Sequence, residues 1–237
     1  MEELKNDGVT VLHNILDNEQ IQATTHIYNK YYSIVKELKD SNKIIQNTQY
    51  RIHINKEDYL NKNYYQDKDI TIIELKEGKY DFSIPNLITP PSEIVKLVEK
   101  FLKQKKYKII NGFLSSSGIS QEGDLHRDTL NLNSGNAEEE EFDDTLTIKH
   151  LKPFYFTVLI PLVDLNKDNG STKFILGSHK KCYKEVDLLD FTQYDINVGS
   201  AIIFDGRIMH KAGENKTLGD RPIMYYVFHK DWYNENY

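Results

Sequence analysis

The feature that most constrains this chain is a change of pattern near residue 107. Beyond it, short runs rich in β-branched and aromatic residues (roughly 107–115, 125–133, 154–163, 173–176, 200–204 and 222–229) alternate with turn signals such as Asp168-Asn169-Gly170 and Gly177-Ser178. Runs of that kind read as strands. A series of them has exposed edges to protect, which a sandwich or barrel does by pairing or closure.

Ahead of that point the pattern is mixed. Residues 8–12 form a short β-like run, and Asp17 with Gln20 has the spacing of a capping box, in which side chains satisfy the free amides of a helix start. Ile27, Tyr31, Ile34, Val35 and Leu38 then recur at helical spacing. Further β-like runs fall near 48–54 and 70–75. Pro90-Pro91-Ser92 opens a second helix whose apolar positions are Ile94, Leu97, Val98, Phe101 and Leu102. Helices followed by a β-rich body predict a mainly β fold with flanking helices. No repeat or linker interrupts the 237 residues. The expectation is one domain over 1–237, with a helical and strand part over about 1–106 and a β core over about 107–237.

Composition narrows the function. The net charge is −6, whereas general nucleic-acid binders are usually basic because phosphate neutralisation supplies their affinity. The lone cysteine, Cys182, cannot form an internal disulfide. The N-terminus MEELKNDGVTVL has no apolar signal region, and no run approaches the ~18 apolar residues of a membrane span. The expectation is a cytoplasmic protein with no membrane span and no nucleic-acid partner. One segment, 134–150, concentrates carboxylates; it reads as a solvated loop by charge repulsion, with a lid for a cationic substrate as the functional alternative.

The chemistry-bearing residues come in three places. His126 and Asp128 stand two apart at the start of the 125–133 run, where i and i+2 share a strand face and can aim at one metal. His210 follows the run 200–204 and a turn at Asp205-Gly206. Together they compose a two-His, one-carboxylate set, which leaves metal positions open and suits Fe(II) oxygenases. Arg221, eleven residues beyond His210, enters the last strand. If that strand lines the interior, its guanidinium can fork onto a carboxylate in a way lysine cannot; otherwise it is a surface arginine with a weak ion pair. His179 and His150 are the rival ligands. His179, at the end of the Gly-Ser-His turn, is better read as a structural hydrogen-bonding group.

Two blocks add a resemblance. Asn169 to His179 and His210 to Arg221, with His126-Arg127-Asp128 upstream in order and Asp7 to Leu12 as the opening, resemble the phytanoyl-CoA dioxygenase family over nearly the whole chain. Leu176 replaces a common proline, and Ala212 stands where some members carry a hydroxyl near the co-substrate. The resemblance implies a double-stranded β-helix, or jelly-roll, cupin-like core. It implies Fe(II) held by His126, Asp128 and His210, and a 2-oxoglutarate co-substrate whose far carboxylate meets Arg221 with help from Thr217. It further implies O2 as oxidant, succinate and CO2 as co-products, and hydroxylation of an unactivated C–H of a small-molecule substrate. Related halogenases lack the carboxylate that Asp128 supplies, which argues against halogenation. An oxygenase acting on a protein residue or carrier-bound substrate is the first alternative. A non-catalytic, cupin-like metal-binding protein is the second.

Overall fold

The computed structural model describes residues 1–40, 49–54, 64–67, 70–74, 80–84, 89–116, 118–129 and 151–233. The acidic segment 134–150, His150 and the end of the 125–133 run lie outside the described residues.

The chain opens with helix α1 (Glu2–Asn6) and strand β1 (Val9–Leu12). Helix α2 (Asn18–Asp40) follows the capping box foreseen from Asp17 and Gln20: each side chain accepts the other's backbone N–H, at 2.8 and 3.0 Å. Four strands come next, β2 (Gln49–Ile54), β3 (Tyr64–Asp67), β4 (Ile70–Glu74) and β5 (Tyr80–Ile84), of which β3 and β5 were not anticipated. Helix α3 (Ser92–Leu102) buries Ile94, Leu97, Val98 and Leu102. The β-rich part supplies β6 (Lys108–Ser116), β7 (Tyr155–Pro161), β8 (Lys173–Phe174), β9 (Thr192–Gln193), β10 (Ala201–Asp205), β11 (His210–Lys211) and β12 (Arg221–His229).

The strands form a nine-stranded sheet in the order β1-β10-β7-β12-β6-β2-β5-β4-β3 and a three-stranded sheet, β11-β8-β9. All pairs are antiparallel except β2 with β5. The architecture is mainly β with helices, as expected. The division near residue 107 is not a structural seam, because β1 pairs with β10 and β2 with β6. The N-terminal part therefore completes the same sheet as the β-rich part.

The central strands β7, β10 and β12 are buried on both faces. Alternate side chains go to different cores, as the two-residue period of a strand requires. Phe156, Val158, Ile160, Ile203, Met224, Tyr226 and Phe228 join Tyr28 and the α3 residues in one core. Leu159, Ile202, Phe204, Ile223, Tyr225 and Val227 join Val9 and Phe174 in a second. Burying a large apolar side chain contributes about 1.5–3 kcal/mol relative to leaving it exposed, so both faces of these strands help hold the sheet. The second core lies towards the small sheet, and that inner face carries the site.

Candidate metal centre

His210 is placed by the small sheet. On β11 it pairs with Phe174 of β8, and its ring is flanked by Phe174 at 5.9 Å and by Phe204 of β10 at 4.7 Å between centroids. The turn ahead of it is fixed by a buried pair: Arg207 donates to both carboxylate oxygens of Asp205, at 2.8 and 2.6 Å, and to the carbonyl of Leu151 at 2.6 Å. Met209, the residue before the histidine, donates its N–H to the buried Ser178 hydroxyl at 2.8 Å.

His126 reaches the same place without the regular strand expected for it. It makes a single antiparallel bridge with His210, each N–H donating to the other's carbonyl at 3.0 Å. The stretch before it runs against the stretch after His210: Gly123 donates to the Ala212 carbonyl at 3.0 Å, and Ser120 and Asn215 exchange two bonds of 2.9 Å. This is a fourth, irregular edge on the small sheet, and it brings residues 84 positions apart side by side. Glu122 ties it down from outside, bridging Lys173 at 2.8 Å and Lys211 at 2.6 Å, which holds its carboxyl down at about 2.

Asp128 comes from the bend just beyond, and its Oδ2 accepts a hydrogen bond from the Thr157 hydroxyl of β7. Its Oδ1 faces the histidines, 3.7 Å from His126 Nε2 and 3.5 Å from His210 Nε2. Those separations exceed normal hydrogen-bond lengths. The three ligand atoms lie within 4.8 Å of one another.

The ring tautomers fit a cation. His126 Nδ1 donates to the Asp124 carbonyl at 2.7 Å and His210 Nδ1 to the Ile208 carbonyl at 3.0 Å. A backbone carbonyl on one ring nitrogen puts the lone pair on the other, the arrangement of a metal-ligating histidine. Burial pushes His210 below the ordinary imidazole range, partly opposed by the Asp128 charge, so its ring is neutral near pH 7. Half of the His126 side chain is exposed while His210 is nearly covered; the cluster opens on the His126 side.

Arg221 lies on β12 on the inner face. Register pairs Val227 with Thr157, and Arg221 shares the parity of Val227, so it faces the way the Asp128-holding threonine does. It is buried, and burial alone pushes it down to about 10, which leaves it charged. One amino group donates to the Gly170 carbonyl, and Nε has no partner among the described residues. Gly170 itself has φ +83°, and a Cβ there would meet the Gly213 carbonyl at 2.5 Å. Only glycine lets the two loops approach so closely.

Thr217, expected beside the co-substrate, is bonded within its own loop. Its hydroxyl donates to Asn215 Oδ1 at 2.8 Å, and the same oxygen accepts its N–H at 3.0 Å. It closes its own loop. His179 sits as the sequence reading placed it, buried, with Nε2 donating to the Lys5 carbonyl at 3.3 Å. A Cβ at Gly8 (φ +85°) would meet its Nδ1 at 2.5 Å, so the N-terminal Asp7-Gly8 block packs on the Gly-Ser-His turn. Thr157, Ser178 and the Asp205–Arg207 pair were missed from the sequence. Ser178 and Asp205 had been read only as turn residues, and only the alternation of a polar residue in the apolar run 154–163 could have pointed to Thr157.

Two histidines and one carboxylate around a common point, beside strands of a β fold, form the ligand set of mononuclear non-haem iron sites. The phytanoyl-CoA dioxygenase (PhyH) family model matches residues 4–223, and the chain belongs to that family. An uncharacterized protein of Saccharomyces cerevisiae (strain ATCC 204508 / S288c), YJR154W, is 32% identical over 78 residues, spanning 31% of this chain and 22% of the yeast protein.

Among solved structures, AviO1 from Streptomyces viridochromogenes Tue57 is similar over 99% of this chain and 95% of its own, at 13% identity and a TM-score of 0.59. HygX from Streptomyces hygroscopicus, with nickel, 2-oxoglutarate and hygromycin B bound, is similar over 98% and 86%, at 14% identity and 0.57. The epimerase SnoN, in complex with Fe3+, alpha ketoglutarate and nogalamycin RO, is similar over 97% and 81%, at 12% identity and 0.51. At such identities these likenesses establish a shared fold. Among the described residues no helix is long and apolar enough to cross a membrane.

Proposed function

We propose that this chain is an Fe(II)- and 2-oxoglutarate-dependent oxygenase, a single domain with a jelly-roll core, that hydroxylates an unactivated C–H of a small molecule and releases succinate and CO2. One observation carries the reading. A buried guanidinium without a carboxylate partner among the described residues shares the inner face of the sheet with a His126, Asp128 and His210 cluster. A buried cation is costly unless paired, and a two-carboxylate oxo acid bound to the metal would supply that pair. Family membership supports the reading, as do 2-oxoglutarate in HygX and SnoN and iron in SnoN.

In this proposal His126 and His210 hold the metal through Nε2 and Asp128 through Oδ1. Thr157 keeps Asp128 Oδ2 engaged, which favours a one-oxygen attachment. Arg221 takes the far carboxylate of 2-oxoglutarate and sets its orientation. Phe174 and Phe204 shield the His210 side from water. When bound, iron and the oxo acid supply O2 activation coupled to decarboxylation. SnoN is an epimerase, so this fold also serves outcomes other than hydroxylation. The presence of Asp128 favours oxygenation over halogenation.

The test is to mix the protein anaerobically with Fe(II) and 2-oxoglutarate. The weak visible charge-transfer band of the chelate is expected. Its absence, with no heat of 2-oxoglutarate binding, would overturn the proposal.

A further inference from the structure

The two segments that carry the metal-facing side chains share an anchor outside the cluster. Arg127 stands between His126 and Asp128, yet its own side chain reaches the 3-10 turn Ser178–Lys180. One amino group of the guanidinium donates to the Ser178 carbonyl at 3.3 Å and to the Lys181 carbonyl at 2.8 Å. The hydroxyl of the same Ser178 accepts the Met209 N–H at 2.8 Å, and Met209 immediately precedes His210. Ile175, just ahead of the turn, donates its N–H to the Met209 carbonyl at 2.9 Å. Both backbone groups of Met209 are therefore held from this side. Ser178 is fully buried. Residues 51 positions before it and 31 after it meet on one serine.

The turn is itself fixed by the start of the chain. Gly177 donates its N–H to the Asp7 carbonyl at 2.7 Å, Lys180 Nζ to the Asn6 carbonyl at 3.2 Å, and His179 Nε2 to the Lys5 carbonyl at 3.3 Å. The two ligand segments also touch directly. One tie is the His126–His210 bridge, and the other is the Thr129 N–H on the Gly206 carbonyl at 3.2 Å. Arg127 and Asp128 lie between those ties, and the Arg127 grip on the turn holds that stretch in place. Groups one step removed from a metal fix the direction in which its ligands point.

We propose that Ser178 is a positioning residue for the metal ligands. Its carbonyl, through Arg127, holds the His126–Asp128 segment, and its hydroxyl, through Met209, holds His210. The two links act in series, so together they set the spacing between Asp128 and His210. A buried N–H that loses its acceptor is costly. Removing the hydroxyl therefore drives Met209 towards another partner and carries His210 with it. The inference rests on the metal-centre part of the reading above and is independent of the co-substrate.

Metal-free wild-type protein, Ser178→Ala, Ser178→Thr, Arg127→Met and the Ser178→Ala/Arg127→Met double variant are titrated with Co(II). Visible absorption reports the geometry around the metal, calorimetry the affinity, and urea midpoints of the metal-free proteins the fold. Ser178→Ala and Arg127→Met should each bind Co(II) about 10-fold or more weaker, the effect expected of outer contacts, with an altered absorption band. Ser178→Thr, which keeps the hydroxyl, should bind as wild type does. Links in series predict that the double variant is little weaker than the weaker single one, whereas independent contacts would multiply their losses. A merely structural serine would lower the urea midpoint and leave the affinity of the folded protein alone. The inference is overturned if the single variants bind Co(II) as wild type does, if their losses multiply, or if Ser178→Thr is as weak as Ser178→Ala. Should Ser178→Ala fail to fold, wild-type affinity in Arg127→Met overturns it. Failure of wild type itself to bind Co(II) would instead overturn the metal centre.

Discussion

The two ends of the site satisfy their polar groups in opposite ways. At the metal end, each atom not aimed at the common point is engaged: both Nδ1 atoms on backbone carbonyls and Asp128 Oδ2 on Thr157. What is left over is acceptors, two imidazole lone pairs and a carboxylate oxygen. At the Arg221 end, among the described residues, it is a donor that is left over, the guanidinium Nε. Among the described residues, acceptors converge at one end and a buried donor stands at the other. Under the proposed function a metal-chelated dicarboxylate would answer both ends, and this contrast is more specific than either end taken alone.

The contrast can be broken at the metal end first. His210→Ala should abolish iron-dependent turnover, with a loss of metal affinity larger than the ~10–100-fold that outer-shell contacts are worth. His179→Ala should retain metal, because its ring answers the Lys5 carbonyl. Equilibrium dialysis of Fe(II) or a nickel surrogate distinguishes them, and the reverse outcome would place the wrong histidine at the site. Thr157→Val comes next. It keeps the shape but frees Asp128 Oδ2, so metal affinity should fall by about 10–100-fold with the fold intact. An unchanged affinity would mean that Asp128 is positioned by its bend alone.

The smallest effect concerns protons. Burial depresses both His210 and His179, so the folded chain binds fewer protons than the unfolded one as pH falls below about 6.5, the value of a free imidazole. The metal-free protein should therefore lose stability between about pH 7 and pH 5.5, by at most about 1.4 kcal/mol per pH unit for each histidine. Added metal should protect it, since protons and metal compete for His210. A urea midpoint that rises on acidification would show that the imidazoles are charged in the folded state.

Much of this was readable in the chain. The α3 stripe, the Asp17–Gln20 cap and the existence of most β-rich runs follow from local periodicity and side-chain reach, and the structure reproduces them. The spacing of His126, Asp128, His210 and Arg221 was legible because residue type and order already restrict the chemistry. How the two histidines come side by side was not. His126 was assigned to a strand by its neighbours, yet it stands on a single bridge. It reaches His210 because 119–126 lies along 210–217 through backbone bonds that carry no side-chain signature.

Local rules settled which residues prefer helix or strand, since periodicity, capping and turn chemistry act over a few positions. They also narrowed the reaction class, because few residue sets can hold a reactive metal and a carboxylate together. The tertiary structure alone decided which hydroxyl serves which group. Thr217 is close to Arg221 in sequence and bonds to Asn215. Thr157 is remote in sequence from Asp128 and bonds to it from the inner face of the sheet. Hydrogen bonds depend on distance and direction across strands, and sequence separation does not encode either.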